Sequence, residues 1–188
     1  MTAPTTETHN QPRALKISCT ATDCGADLHC FKPAPKVALG ACRECEVTPV
    51  DFERVHAREF ADVDHTLQAL DLELIRQHMS HVEIPAALRD RALRRGLDVL
   101  RARADHAVRK TLVKPRSQNA WDGRSVPFPW SKSVQLHHYA QHATATCCRV
   151  CAAYWHGLGE EDVITEEQFT YLSSLAWTWL ERRVGPFE

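Results

Sequence analysis

The stretch Gln141 to Gly157, Q-H-A-T-A-T-C-C-R-V-C-A-A-Y-W-H-G, constrains this chain more than any other. It sets Cys147, Cys148 and Cys151 between His142 and His156, and thiols with imidazoles at such short spacing are the donor set zinc takes. With a helix starting near Thr146, Cys148 and Cys151 stand one turn apart on one face, and Cys147 is four residues from Cys151 on the adjoining ridge. The partial positive charge of a helix N-terminus favours the thiolate form there. His142 can fold back from the preceding turn, and His156 lies past the second turn. The expected ligands are His142, Cys148, Cys151 and His156, with Cys147 as the replacement. An iron-sulfur cluster is the lesser metal alternative. Without metal, the cysteines would be core packing and His156 a helix C-cap.

A second cysteine group lies nearer the N-terminus. Cys42-Arg43-Glu44-Cys45, preceded by Gly40, has the form of a zinc knuckle, in which a tight turn aims two sulfurs at one ion. Cys19 and Cys24 are positioned to complete an all-cysteine site, and Cys30 is the surplus thiol. Two zinc ions are therefore expected. A single treble-clef site joining Cys42 and Cys45 to Cys148 and Cys151 is the alternative. The N-terminus has no basic start or apolar run of the secretory kind, which puts the chain in the cytoplasm, where its eight cysteines point to metal rather than disulfides. No segment approaches the roughly 20 apolar residues of a membrane span.

The rest of the chain reads as mainly α with short β-strands. A zinc-knuckle-like N-terminal unit, a helical hairpin and a small C-terminal metal-bound α(+β) unit are expected. Residues 1–13 are polar and aperiodic and read as a disordered tail. Residues 14–84 form the cysteine-rich unit with an acidic helix, and 85–188 the basic helix with the C-terminal metal unit, the helices sharing one core. Ala14 to Cys19 and Val134 to Tyr139 alternate as short strands do. Val63, Leu67, Leu70, Leu74, Ile75 and Val82 predict a helix from about Asp62. A second runs from about Ala86 to Leu112, with Gly96 as its weak point, and a last one from about Glu166 to Val184 behind a Thr165 and Gln168 capping box.

Net charge is -1, so any claim on nucleic acid must come from a local patch. Pro85 to Arg116 carries ten Lys or Arg against three aspartates, while Glu44 to Glu83 carries ten acids against three arginines. Neutralisation between the two segments is the bland reading. The sharper one is a phosphate-binding stripe that includes Arg94, Arg95, Arg101, Lys114 and Arg116, with Trp121 and Trp130 stacking on bases. This favours a zinc-stabilised, nucleic-acid-associated binding module. A metal-dependent hydrolase or nuclease drawing on His137, His138, Asp122 or Arg149 is the alternative, though no H-E-x-x-H or complete H-N-H pattern appears. A zinc-stabilised adaptor is the third reading. The oligomeric state is not legible.

From about Arg91 onward the chain resembles an uncharacterised bacterial domain of unknown function. Its signature is a D-G-[KR]-x-x-P turn, then A-Q-H-A-T-A-T-C-C-R-x-C and W-H-G. Asp122-Gly123-Arg124 with Pro127, Ala140 to Cys151, and Trp155-His156-Gly157 carry the match. The resemblance implies a self-contained C-terminal metal site, which argues against the shared treble clef. It also implies apolar residues at the positions of His137 and His138, which weakens both as ligands. It assigns no activity.

Overall fold

The structure, a computed structural model, describes residues 28–31, 37–118 and 134–185. The expected tail, the Ala14 to Cys19 strand, Cys19, Cys24, Trp121 and Trp130 lie outside these residues. The described residues form α1 (Phe52–Ala57), α2 (Val63–Leu70), α3 (Leu74–His81), α4 (Ala86–Arg95), α5 (Leu97–Leu112), α6 (Leu136–Ala143), α7 (Arg149–His156) and α8 (Glu166–Val184). Among them there is no sheet; an isolated β-bridge pairs His29 with Glu73 in parallel.

α8 organises the core. Phe169, Leu172, Ala176 and Leu180 are buried at helical spacing, but so are Tyr171, Leu175 and Trp177, so the helix is covered nearly all round. It packs against α5, α6 and α2, and α3 packs on α6. The predicted capping box is present: Gln168 N donates to Thr165 Oγ1 at 3.2 Å, and Thr165 N donates to Gln168 Oε1 at 3.0 Å. The principal contacts of α3 and α5 are with α6 and α8 rather than with each other, so the expected hairpin is not the packing unit. Opposite charges accordingly pair on α8, Arg109 with Glu166 and Arg182 with Asp64.

Three elements differ from expectation. The helix expected from Asp62 stops at Leu70 and restarts at Leu74. Leu72 and Glu73 tighten into i to i+3 bonds with Ala69 O and Leu70 O, and Leu72 and Leu74 pair with His29. The second long helix breaks at Gly96, whose φ of 87° is open to glycine but costly for other residues. Val134 to Tyr139 is no strand. Gln135 caps α6 in a box with His138, and Leu136, Tyr139, Ala140 and Ala143 bury a helical face that outweighs the short alternation.

Aromatic contacts join the cysteine-rich segment to α7. The Phe31 and Phe52 rings lie 5.5 Å and 5.1 Å from that of Trp155, and Phe52 lies 5.3 Å from Tyr154. Buried residues from Phe31 to Val184 form one continuous core.

Candidate metal centres

The loop between α6 and α7 carries the C-terminal cluster. α6 ends at Ala143, Ala145 takes a left-handed φ of 55°, and Cys148 is the extended N-cap of α7. Backbone bonds hold the reversal: Thr144 N donates to Ala140 O at 2.9 Å and Thr146 N to Gln141 O at 2.9 Å. Gln141 Nε2 donates to Thr111 Oγ1 at 3.0 Å and to Thr146 O at 3.3 Å, fixing the loop against α5. The result is three buried sulfurs, Cys147, Cys148 and Cys151, whose Sγ atoms all lie within 4.8 Å of one another.

Around these sulfurs sits a charged group that hydrophobic patterning gives no reason to expect. Arg76 on α3 is 1 % exposed. Its Nη2 donates to Cys151 Sγ at 3.1 Å, its Nη1 to His142 O at 2.6 Å and its Nε to Glu73 Oε2 at 2.8 Å. Trp155 Nε1 donates to the same Glu73 oxygen at 2.7 Å. A buried guanidinium satisfied on three sides, one of them sulfur, complements an electron-rich cluster.

His142 and His156 are both buried but stand outside the three-sulfur group. His156 Nε2 lies 2.9 Å from Thr144 O, a pairing in which the ring nitrogen donates and Nδ1 keeps its lone pair. That Nδ1 is buried with no hydrogen-bond partner among the described residues. Burial lowers the His156 pKa to about 4, so the ring is neutral at physiological pH.

Arg149 is a pin for the backbone. Its Nη1 donates to Leu112 O at 2.8 Å, its Nε to Glu160 O at 3.1 Å, and its Nη2 to Asp162 O at 2.8 Å and to Gly159 O. It ties the C-terminus of α5 to the loop before α8, where a cation also suits the helix dipole.

The N-terminal cluster depends on long-range pairing. His29 N donates to Leu72 O at 2.8 Å and Leu74 N to His29 O at 3.1 Å, which lays residues 28–31 along the α2 to α3 break. The 42–45 turn closes through Cys42 N to Val47 O at 2.8 Å and Glu46 N to Cys42 O at 2.9 Å, with Glu46 at a left-handed φ of 60°. His29, Cys42 and Cys45 then offer ligand atoms within 4.8 Å of one another, and Cys45 Sγ lies 3.4 Å from His29 Nδ1. Cys30 Sγ is 3.9 Å from Cys42 Sγ. His29 had a weak signal in the sequence, an imidazole beside a thiol in a cysteine-rich segment; Arg76 had none.

The donor chemistry of both clusters suits zinc or another thiophilic cation. Of the basic residues expected to contact nucleic acid, Arg94, Arg95 and Lys114 are exposed, Arg101 lies 5.4 Å over the Trp177 ring and Arg116 pairs with Glu160. Among the described residues, no helix is long and apolar enough to cross a membrane. A family model described as a domain of unknown function (DUF4186) matches residues 64–181, extending upstream of the segment that carried the sequence resemblance. No solved structure matches the chain.

Proposed function

The chain belongs to the DUF4186 family, a domain of unknown function, and we propose that it is a zinc-binding protein with one ion at each cluster, working as a nucleic-acid-associated binding module. The observation that carries the metal reading is the convergence of the Cys147, Cys148 and Cys151 sulfurs beside the buried Arg76. Three thiolates on a divalent ion leave a net negative charge, and the guanidinium offsets it without water.

His156 is the leading fourth ligand, through its partnerless Nδ1, although its ring must close on the sulfurs from outside their 4.8 Å group. Its other nitrogen is already engaged by a backbone carbonyl, which is the support that metal-bound imidazoles ordinarily have. His142 is the alternative. At the N-terminal centre, His29, Cys42 and Cys45 need one further donor, from Cys19, Cys24 or Cys30. A reducing compartment such as the cytoplasm suits these thiolate sites.

Nucleic acid is the favoured partner because cations cluster on α4 and α5. Arg91, Arg95 and Arg103 share one depression there. The hydrolase reading has less support: all three C-terminal sulfurs are buried, whereas a catalytic metal needs an approach for substrate and water.

Elemental analysis of purified protein, with binding to labelled DNA and RNA across a salt series, tests the proposal. Two zinc per chain and affinity that falls linearly on a log-log salt plot are expected. Zinc-free protein overturns the metal reading. Zinc-loaded protein that binds no nucleic acid overturns the partner and favours an adaptor.

A further inference from the structure

A cleft of about 390 Å³ opens between α5 and α6, away from the three sulfurs in sequence but joined to their loop. Arg103, His106 and Lys110 line it from α5, and His137 and His138 line it from α6. The three α5 residues recur at three- and four-residue steps, so they form one ridge roughly 10 Å long. No carboxylate is among the described lining residues, and the nearby Asp105 is taken by Ser173 on α8. Val99 and Ala107 supply an apolar floor.

Burial dominates the two imidazoles. Burial, and then the charges of His138, Arg103 and His106, lower the His137 pKa to about 3, and burial lowers that of His138 to about 4. Both rings are therefore neutral at physiological pH beside fixed cations. Gln135 N donates to His138 Nδ1 at 3.0 Å, which leaves the ring proton on Nε2. The two rings stand 4.3 Å apart. At the inner end, Thr111 and Gln141 line the cleft and also bond the carbonyl of Thr146, the residue before Cys147.

We propose that this cleft binds a phosphate ester of nucleotide size, with the anion on Arg103, His106 and Lys110 and the flat ring against His137 and His138. The volume falls within the ~300–1,000 Å³ typical of small-ligand sites. Cationic side chains with aromatic faces are the pairing that phosphate plus base requires. The ester comes either from a free nucleotide or from one residue of a single strand. The site rests on the cleft alone and stands whether or not the zinc reading does.

The test uses the full chain, titrated with adenosine monophosphate, with adenosine and with a short single-stranded oligonucleotide, by calorimetry and by imidazole NMR. Adenosine monophosphate is expected to bind at least tenfold more tightly than adenosine and to shift the His137 and His138 resonances. Arg103→Gln and Lys110→Gln, both at exposed helix positions, should each weaken it tenfold or more; charge-assisted hydrogen bonds of about 1.5–3 kcal/mol set that scale. Arg182→Gln, outside the cleft, should leave it unchanged. Binding of the oligonucleotide alone, with the same losses in both variants, supports the site and identifies a strand as the source. Equal binding of adenosine and its monophosphate, or no binding by any probe, overturns the proposal. Oligonucleotide binding that survives both variants also overturns it, while leaving the nucleic-acid reading intact.

Discussion

Arg76 Nη2 lies 3.1 Å from Cys151 Sγ while Nε of the same side chain holds Glu73 at 2.8 Å, so one buried guanidinium faces a sulfur and a carboxylate at once. Neither partner has bulk water to fall back on. Replacing Arg76 with Gln strands the Glu73 charge, and a loss of about 3–5 kcal/mol in denaturant unfolding is expected. Zinc affinity, read by chelator competition, should fall about 10- to 100-fold, as for other groups that orient a metal's ligands. Arg76→Lys should not rescue either quantity, since an ammonium cannot span three fixed acceptors.

The two clusters share no donor, so at saturating zinc a substitution in one should remove its own ion and leave the other in place. Cys151→Ser should leave one zinc of two, and Cys45→Ser should also leave one, the other, by elemental analysis. The double variant should leave none. Metal release on acidification follows because thiolates must be protonated to let go.

His137 sets a pH dependence of stability that does not pass through the thiols. Its folded pKa of about 3 lies below the unfolded value near 6.5. Above the unfolded pKa both states are neutral and the residue makes no difference. As pH falls from there towards 3, the unfolded chain takes up a proton the native one does not, and stability declines. His137→Phe should make the profile less steep over that window, leaving the part that His138 and His156 contribute, measured as denaturation midpoints at fixed ionic strength.

Gly40 carries a second constraint on the N-terminal centre. Its φ is +83°, and a Cβ there would meet Phe52 Cδ2 at 2.9 Å. Gly40→Ala should cost about 1–3 kcal/mol, from the backbone and from displacing a ring that packs on Trp155. The corresponding drop in melting temperature is several degrees.

Local signals were legible in the sequence where local bonds decide the structure. Thr165 and Gln168 formed their box, Gly96 parted α4 from α5, and the close spacing of Cys147, Cys148 and Cys151 brought their sulfurs together. The break at residues 71–73 is hidden because Leu67, Leu70, Leu74 and Ile75 keep helical spacing across it; only the bridge to His29, more than forty residues upstream, reveals it. His29 entered its cluster through the same pairing. Arg76 read as one cation in an acidic segment, since charge alone says nothing about burial. The α6 segment reads as a strand in sequence because its run is too short for alternation to be distinguished from a capped helix.

Glu73 bridges to His29 through the backbone and, through its side chain, holds both Arg76 and the Trp155 indole. An ion arriving at either end stiffens this shared joint, so the entropy of ordering it is lost once for both. Occupancy should therefore rise more steeply with free zinc than two independent sites allow, and a partly loaded population should be scarce.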